Sequence, residues 1–267
     1  VPFHMWAPDI YEGAPTPITA LLAVGAKAAV FALILRLFGE ALLPAIGEWQ
    51  IIIAIIAALT MTIGNLVALT QRNIKRLLAY SSIGQVGYLL IGIAALANIK
   101  DGSIVPSELA SSGLILHLIG YAVSNLAAFL CIIIFYNATQ KELVRDFAGL
   151  AKRAPLVSMV FTGSLFSLAG LPIFAGFTTK FYLFTAATNE GLLWLAGLAI
   201  LNSVISLYYY LAIIRQMYIE DAVDHSLIRL PSLTSATLIL LFCAIILIGV
   251  YPRPLVAAIN AAVKVIF

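Results

Sequence analysis

Pro155 to Thr188 reads PLVSMVFTGSLFSLAGLPIFAGFTTKFYLFTAAT, a stretch with a single charged residue, Lys180. As one continuous helix its 34 residues would reach roughly 51 Å at 1.5 Å per residue, against a bilayer core of about 30 Å. The stretch carries its own interruption, the run Ala169-Gly170-Leu171-Pro172-Ile173-Phe174-Ala175-Gly176. Pro172 removes a backbone donor and the flanking Gly170 and Gly176 permit a loop, so a discontinuous helix with its break around 169–176 is expected. Broken helices at membrane depth are tolerated where they are packed in protein or line a hydrated cavity, and they commonly mark ion pathways. Lys180 follows the break by about one turn.

The rest of the chain has the same character. Hydrophobic residues make up 63% of 267 positions and charged residues 10%, with a mean hydropathy of +1.06. Such a chain has lipid as its solvent. Backbone groups cannot stay unpaired there, and no alternating pattern of barrel strands is present, so the spans are helices. The expected fold is an all-α polytopic membrane bundle of about seven transmembrane helices, preceded by a partial helix. Spans fall near 16–39, 50–70, 73–98, 107–137, 155–188, 191–219 and 232–250. The whole reads as one membrane domain: 1–15 the end of a broken helix and a loop, 16–250 the spans, and 251–267 a terminal segment. Tyr251-Pro252-Arg253-Pro254 closes the last span, and the segment after it suits either an interfacial helix or part of another crossing. The opening residues show no charged leader or cleavage site and look like a cut through a larger protein.

Lysine and arginine are asymmetric across the spans. Arg72, Lys75, Arg76, Lys141, Arg145, Lys152, Arg153, Arg215 and Arg229 lie on one side and Arg36, Lys100, Arg253 and Lys264 on the other, which places the first set in the cytoplasm or its equivalent. The net charge of +3 is spread over loops and argues against nucleic acid as a partner. Cys131 and Cys243 sit in apolar runs with no ligand-like spacing, so neither a metal site nor a disulfide is indicated. No nucleotide or iron-sulfur motif is present, and no cofactor is expected on this chain.

Two lysines remain, Lys27 and Lys180, both inside spans. Lys27 stands near the middle of its span among Ala26, Ala28 and Ala29, too deep to reach water by snorkelling. Burial penalises the charged form of a lysine, a property suited to a group that releases and regains a proton. The alternatives are a permanent ion pair for Lys27 and a plain proline kink with an interfacial lysine for Lys180. All twelve acidic residues, Asp101 among them, fall in loops or at span ends, so no carboxylate accompanies either lysine at its depth. His117 lies in the fourth span with Tyr121 one turn on, a pair able to pass protons or simply to pack. Ser81 and Ser82 in the third span extend such a wire or make ordinary interhelical hydrogen bonds. Lys75, beside Arg72 and Arg76, reads more readily as an interfacial anchor than as a relay.

The opening Val1-Pro2-Phe3-His4-Met5-Trp6-Ala7-Pro8-Asp9-Ile10-Tyr11-Glu12-Gly13-Ala14-Pro15 resembles the signature of the antiporter-like subunit N family of NADH:quinone oxidoreductase, respiratory complex I. Asn73-Ile74-Lys75-Arg76 through Ser82, Leu168-Ala169-Gly170-Leu171-Pro172, Gly176-Phe177, Lys180-Phe181-Tyr182, Asn202-Ser203 and Tyr208-Tyr209-Tyr210 follow in the family's order. The resemblance implies the second part of a fourteen-helix fold built from two inverted repeats. It puts Lys27 and Lys180 at proton-relay positions, with His117 and Lys75 along a central hydrophilic axis. It further implies proton translocation coupled to quinone reduction in a bacterial inner membrane. Other complex I membrane subunits, including an adjacent antiporter-like one, would be the partners. NADH, flavin, iron-sulfur clusters and quinone would be bound elsewhere in the complex. A cation/proton antiporter, a membrane-bound hydrogenase subunit or a structural spacer would use a similar chain.

Overall fold

Asn73 starts the helix around which the molecule is built. Its side chain accepts hydrogen bonds from the backbone N–H of Lys75 (2.9 Å) and Arg76 (3.2 Å), an N-cap for Ile74–Ala94. The computed structural model describes residues 1–100, 103–222, 224 and 226–266; Asp101 and Phe267 lie outside the described residues.

In chain order the helices are α1 (Trp6–Gly13), α2 (Thr16–Leu21), α3 (Lys27–Arg36), α4 (Ile46–Ala68), α5 (Ile74–Ala94) and α6 (Glu108–Thr139). They continue as a short α7 (Leu150–Arg153), α8 (Pro155–Ala169), α9 (Ala175–Asn189), α10 (Leu193–Tyr218), α11 (Ser232–Val250) and α12 (Arg253–Ile266). A π turn over Leu22–Ala26 joins α2 to α3, making one span of Thr16–Ala41. Among the described residues, six helical stretches are long and apolar enough to cross a membrane. A seventh crossing is shared by α8 and α9 on either side of the break at 170–174.

Nearly all of α5 is buried, so it forms the axis of the bundle, with α4, α6, α9 and α10 against it. In α11, by contrast, only Leu238 and Ile245 are buried, leaving the rest of its apolar surface to the surroundings. A buried polar helix at the centre and apolar helices at the rim is the inverse of a water-soluble core, as lipid solvent requires.

Two expectations need correction or completion. The third span ends at Ala94 rather than near 98, and Gln50 Nε2 donates to the carbonyls of Ala94 (3.0 Å) and Ala97 (3.1 Å) where the helix gives way. The chain then turns through a two-stranded antiparallel hairpin, Ala97–Lys100 against Ser103–Pro106, in a bundle otherwise read as wholly helical. The terminal segment forms α12, which lays Ile259 and Val263 against Leu116 of α6 and keeps Asn260 and Lys264 exposed.

Candidate functional site: a buried lysine path

Gly170 ends α8 in a left-handed conformation (φ 90°, ψ 38°), which a side chain at that position would strain. The backbone N–H groups of Gly170 and Leu171 both return to the carbonyl of Phe166 at 3.0 Å. This leaves the last carbonyls of the helix pointing into the protein, and Lys180 answers them. Its Nζ donates to the carbonyls of Leu168 (3.0 Å) and Ala169 (3.2 Å) and to Ser203 Oγ (3.3 Å). The ammonium also lies 4.3 Å from the centre of the Tyr88 ring, and Ser203 Oγ donates to Tyr88 Oη at 3.3 Å. The negative end of the α8 dipole and a π face therefore take the place of a carboxylate.

Across the break, Gly176 begins α9 where an added Cβ would come within 1.7 Å of the Ser167 carbonyl oxygen. Its N–H donates to Ser167 Oγ at 3.0 Å, and Ser167 shares a 2.7 Å hydrogen bond with Ser124 of α6. Pro172 lies exposed in the connecting turn. Ile173 beside it has φ 79°, a conformation a β-branched residue rarely adopts.

Lys27 lies at the other side of α5, half-buried rather than fully buried like Lys180, and it lines a largely apolar cavity with Tyr11, Phe31 and Ser82. It is the first residue after the π turn and donates to the Ser82 carbonyl (3.1 Å), Ser82 Oγ and Tyr121 Oη (2.8 Å), with its Nζ 4.6 Å from the centre of the Tyr121 ring. Tyr121 Oη also donates to the carbonyl of Ala23 within the π turn (3.2 Å), and Tyr11 Oη lies 3.3 Å from Ser82 Oγ. An irregular helix and a hydroxyl cluster thus hold this ammonium. Among the described residues neither Lys27 nor Lys180 forms an ion pair.

The two lysines approach one shared helix from either side. Ser82 of α5 meets Lys27, while the adjacent Ser81 hydrogen-bonds the hydroxyl of Tyr210 on α10. One turn further along α5, Gln85 Nε2 donates at 3.0 Å to the Leu168 carbonyl, the oxygen that also accepts from Lys180. His117 is buried on α6; its Nδ1 lies 2.9 Å from Thr179 Oγ1, one residue before Lys180, and its Nε2 has no partner among the described residues. Its ring meets Tyr88 edge-on at 6.4 Å. His117 therefore belongs to the Lys180 end, and Tyr121, although on the same helix, to the Lys27 end.

Lys75 departs from the expectation of an interfacial anchor. It is buried, pairs with Glu142 at 2.7 Å and donates to the Ala14 carbonyl at 3.3 Å. The sequence reading also missed Tyr88, Thr179 and the carbonyls of Leu168 and Ala169. Tyr88 was signalled only by its place on the polar helix that carries Ser81, Ser82 and Gln85. Backbone acceptors leave no trace in residue types at all. No group of three or more candidate metal ligands occurs among the described residues.

The bundle thus holds two lysines, each beside an irregular or broken helix and, among the described residues, without an ion pair. The family model described as NADH:quinone oxidoreductase/Mrp antiporter, transmembrane, matches residues 1–206, and the chain belongs to that family. Subunit N of NADH-quinone oxidoreductase from Desulforamulus reducens is 42% identical over 264 residues, covering 99% of this chain and 53% of the relative. The subunit N of Moorella thermoacetica is 44% identical, covering 98% and 54%. The chain spans about half the length of the curated relatives it matches. Among solved structures, a chain of respiratory complex I from Thermus thermophilus superposes with a TM-score of 0.78 at 29% identity, covering 97% of this chain and 55% of that one. A chain of the membrane-bound sulfane sulfur reductase, an archaeal respiratory membrane complex, gives 0.86 at 30% identity, covering 99% and 52%.

Proposed function

We propose that this chain carries the proton path of an antiporter-like subunit of NADH:quinone oxidoreductase, with Lys27 and Lys180 as the groups that load and release protons. The observation that carries the reading is the Leu168 carbonyl, shared by Lys180 and Gln85 of the helix that also supports Lys27 through Ser82. Each ammonium is held by neutral acceptors, so losing its proton breaks no ion pair and leaves no carboxylate behind. Ser82, Tyr121, Ser81, Tyr210 and Gln85 supply hydroxyl and amide groups between the lysines, and His117 with Thr179 adds a titratable branch at Lys180.

On this reading the chain sits in a bacterial inner membrane and packs against other membrane subunits of the complex, including a neighbouring antiporter-like one. NADH, flavin, iron-sulfur clusters and quinone belong to partner subunits, and no electron passes through this chain. Quinone reduction elsewhere changes the field at the lysines, and a change of one pKa unit corresponds to about 1.36 kcal/mol. The subunit names of the relatives and the complex I structure support this assignment over the spacer role.

The structural match to the sulfane sulfur reductase favours a second reading, in which the same path serves a complex with a different electron donor. Lys27→Ala and Lys180→Ala in the full-length subunit within its assembled complex test the common core. Proton pumping falls in both while assembly is retained; wild-type pumping in both, with the complex intact, sinks the proposal. Reconstitution with NADH as donor separates the two complexes.

A further inference from the structure

Proton transfer between Lys27 and Lys180 requires an inlet from the side where the basic loops lie. A cavity of about 400 Å³ opens there, lined by Ala14, Pro15, Thr16, Lys75, Tyr136 and Glu142 among others. Other charged cavities lie beside Arg145 and Arg153 and beside Glu108 and Lys264, but this one adjoins the buried lysine at the start of α5. Glu142 Oε1 lies 2.7 Å from Lys75 Nζ, and Glu142 Oε2 accepts from Asn73 Nδ2 at 3.2 Å. Both side chains line the cavity, and the glutamate is the more exposed of the two, 21% against 5% for the lysine.

The backbone holds this arrangement in register. Ile74 N–H donates to the Glu142 carbonyl and Val144 N–H to the Arg72 carbonyl, both at 2.9 Å, which fastens the loop after α6 to the start of α5. Arg76 is engaged separately with Asp9 (2.7 Å) and Glu12 (2.9 Å) and leaves the Lys75–Glu142 pair to itself. Lys75, Ala79 and Ser82 follow one another at i, i+4 and i+7, so they share a face of α5. Seven residues of helix rise about 10.5 Å, a gap that a few water molecules span. Thr16, Thr19 and Tyr11 are buried nearby, and Tyr11 Oη reaches Ser82 Oγ.

We propose that this cavity is the port by which protons enter the polar path, with Glu142 as the outer acceptor and Lys75 as the inner donor; this rests on the proton-transfer reading above. Water in the cavity gives a proton to the Glu142 carboxylate, which frees the Lys75 ammonium from its pair. Lys75 passes a proton inward through water toward Ser82, becoming a neutral amine. Glu142 then returns its proton to that amine, restoring carboxylate and ammonium with one proton moved inward.

The test uses the full-length subunit in its assembled complex, in vesicles of either orientation, on a background with Cys131 and Cys243 replaced by alanine. Thr16→Cys, at a buried position on the cavity wall, is exposed to a small, membrane-impermeant, positively charged methanethiosulfonate reagent. Reaction from the basic face only, with slowed pumping after reaction, is the expected result. Glu142→Gln slows pumping about tenfold or more, and Glu142→Asp restores much of it. An unreactive Thr16→Cys, or reaction with no effect on pumping, overturns the port. Wild-type pumping in Glu142→Gln also overturns it when Lys27→Ala, measured alongside, pumps poorly. Wild-type pumping in both variants overturns the proton-transfer reading and the port with it, and accessibility at Thr16 is read independently of either.

Discussion

Replacing Gly170 by alanine isolates the contribution of the helix break. The residue has φ 90°, and left-handed backbone costs a residue with a Cβ roughly 1–2 kcal/mol. The new Cβ would also stand 3.1 Å from Lys180 Cδ, so the lysine chain must give by a few tenths of an ångström, which disturbs its bonds to the Leu168 and Ala169 carbonyls. A hydrogen bond to a charged group contributes about 1.5–3 kcal/mol, so where one of the two is lost the combined cost is about 2.5–5 kcal/mol. The part that falls on Lys180 corresponds to about a tenfold to hundredfold drop in the fraction of subunits holding the lysine in place. Gly191 supplies the control, because it has φ 79° but nothing within 4 Å of an added Cβ. Gly191→Ala therefore carries comparable backbone strain without the lysine contact. Thermal stability of the solubilised complex should fall in both variants, and proton pumping per electron only in Gly170→Ala. Equal pumping in the two would refute the reasoning that the break exists to seat Lys180.

Other substitutions probe the remaining parts. Ser82→Ala removes the hydroxyl shared by Lys27, Tyr11 and Tyr121, and pumping should fall about tenfold for the loss of one charge-assisted bond, measured as initial rate in vesicles. Tyr88→Phe keeps the ring under Lys180 but drops the hydroxyl that accepts from Ser203, so its effect on pumping should be smaller than that of Tyr88→Leu, which also loses a desolvated cation–π contact of about 2 kcal/mol. Gly176→Ala drives a Cβ into the Ser167 carbonyl and should destabilise the subunit by about 3 kcal/mol or more, seen as lost assembly on native gels.

The spans were legible because lipid imposes a simple rule: long apolar runs must be helices. The break was equally legible, since Gly170, Pro172 and Gly176 state it in residue types. Less visible was the π turn before Lys27, which uses ordinary residues, Leu22 to Ala26, and carries no proline to announce it. The sequence places no carboxylate beside Lys180, and the backbone carbonyls of Leu168 and Ala169 that it meets are not encoded by residue type. Lys75 was misjudged for a related reason. Its position beside Arg72 and Arg76 suggested water, whereas the loop carrying Glu142 folds over it through backbone bonds formed between segments some seventy residues apart. The hairpin after α5 is not legible in the apolar pattern that marks the spans, since it is held by backbone pairing of Ala97–Lys100 with Ser103–Pro106.

The central claim is that Lys27 and Lys180 are stations on one path. Pumping rates of Lys27→Ala, Lys180→Ala and the double variant, in the assembled complex at matched quinone reduction, test it most directly. A series path predicts that the double variant pumps no worse than the slower single variant. Losses that multiply in the double variant would mean two independent routes and would contradict the account.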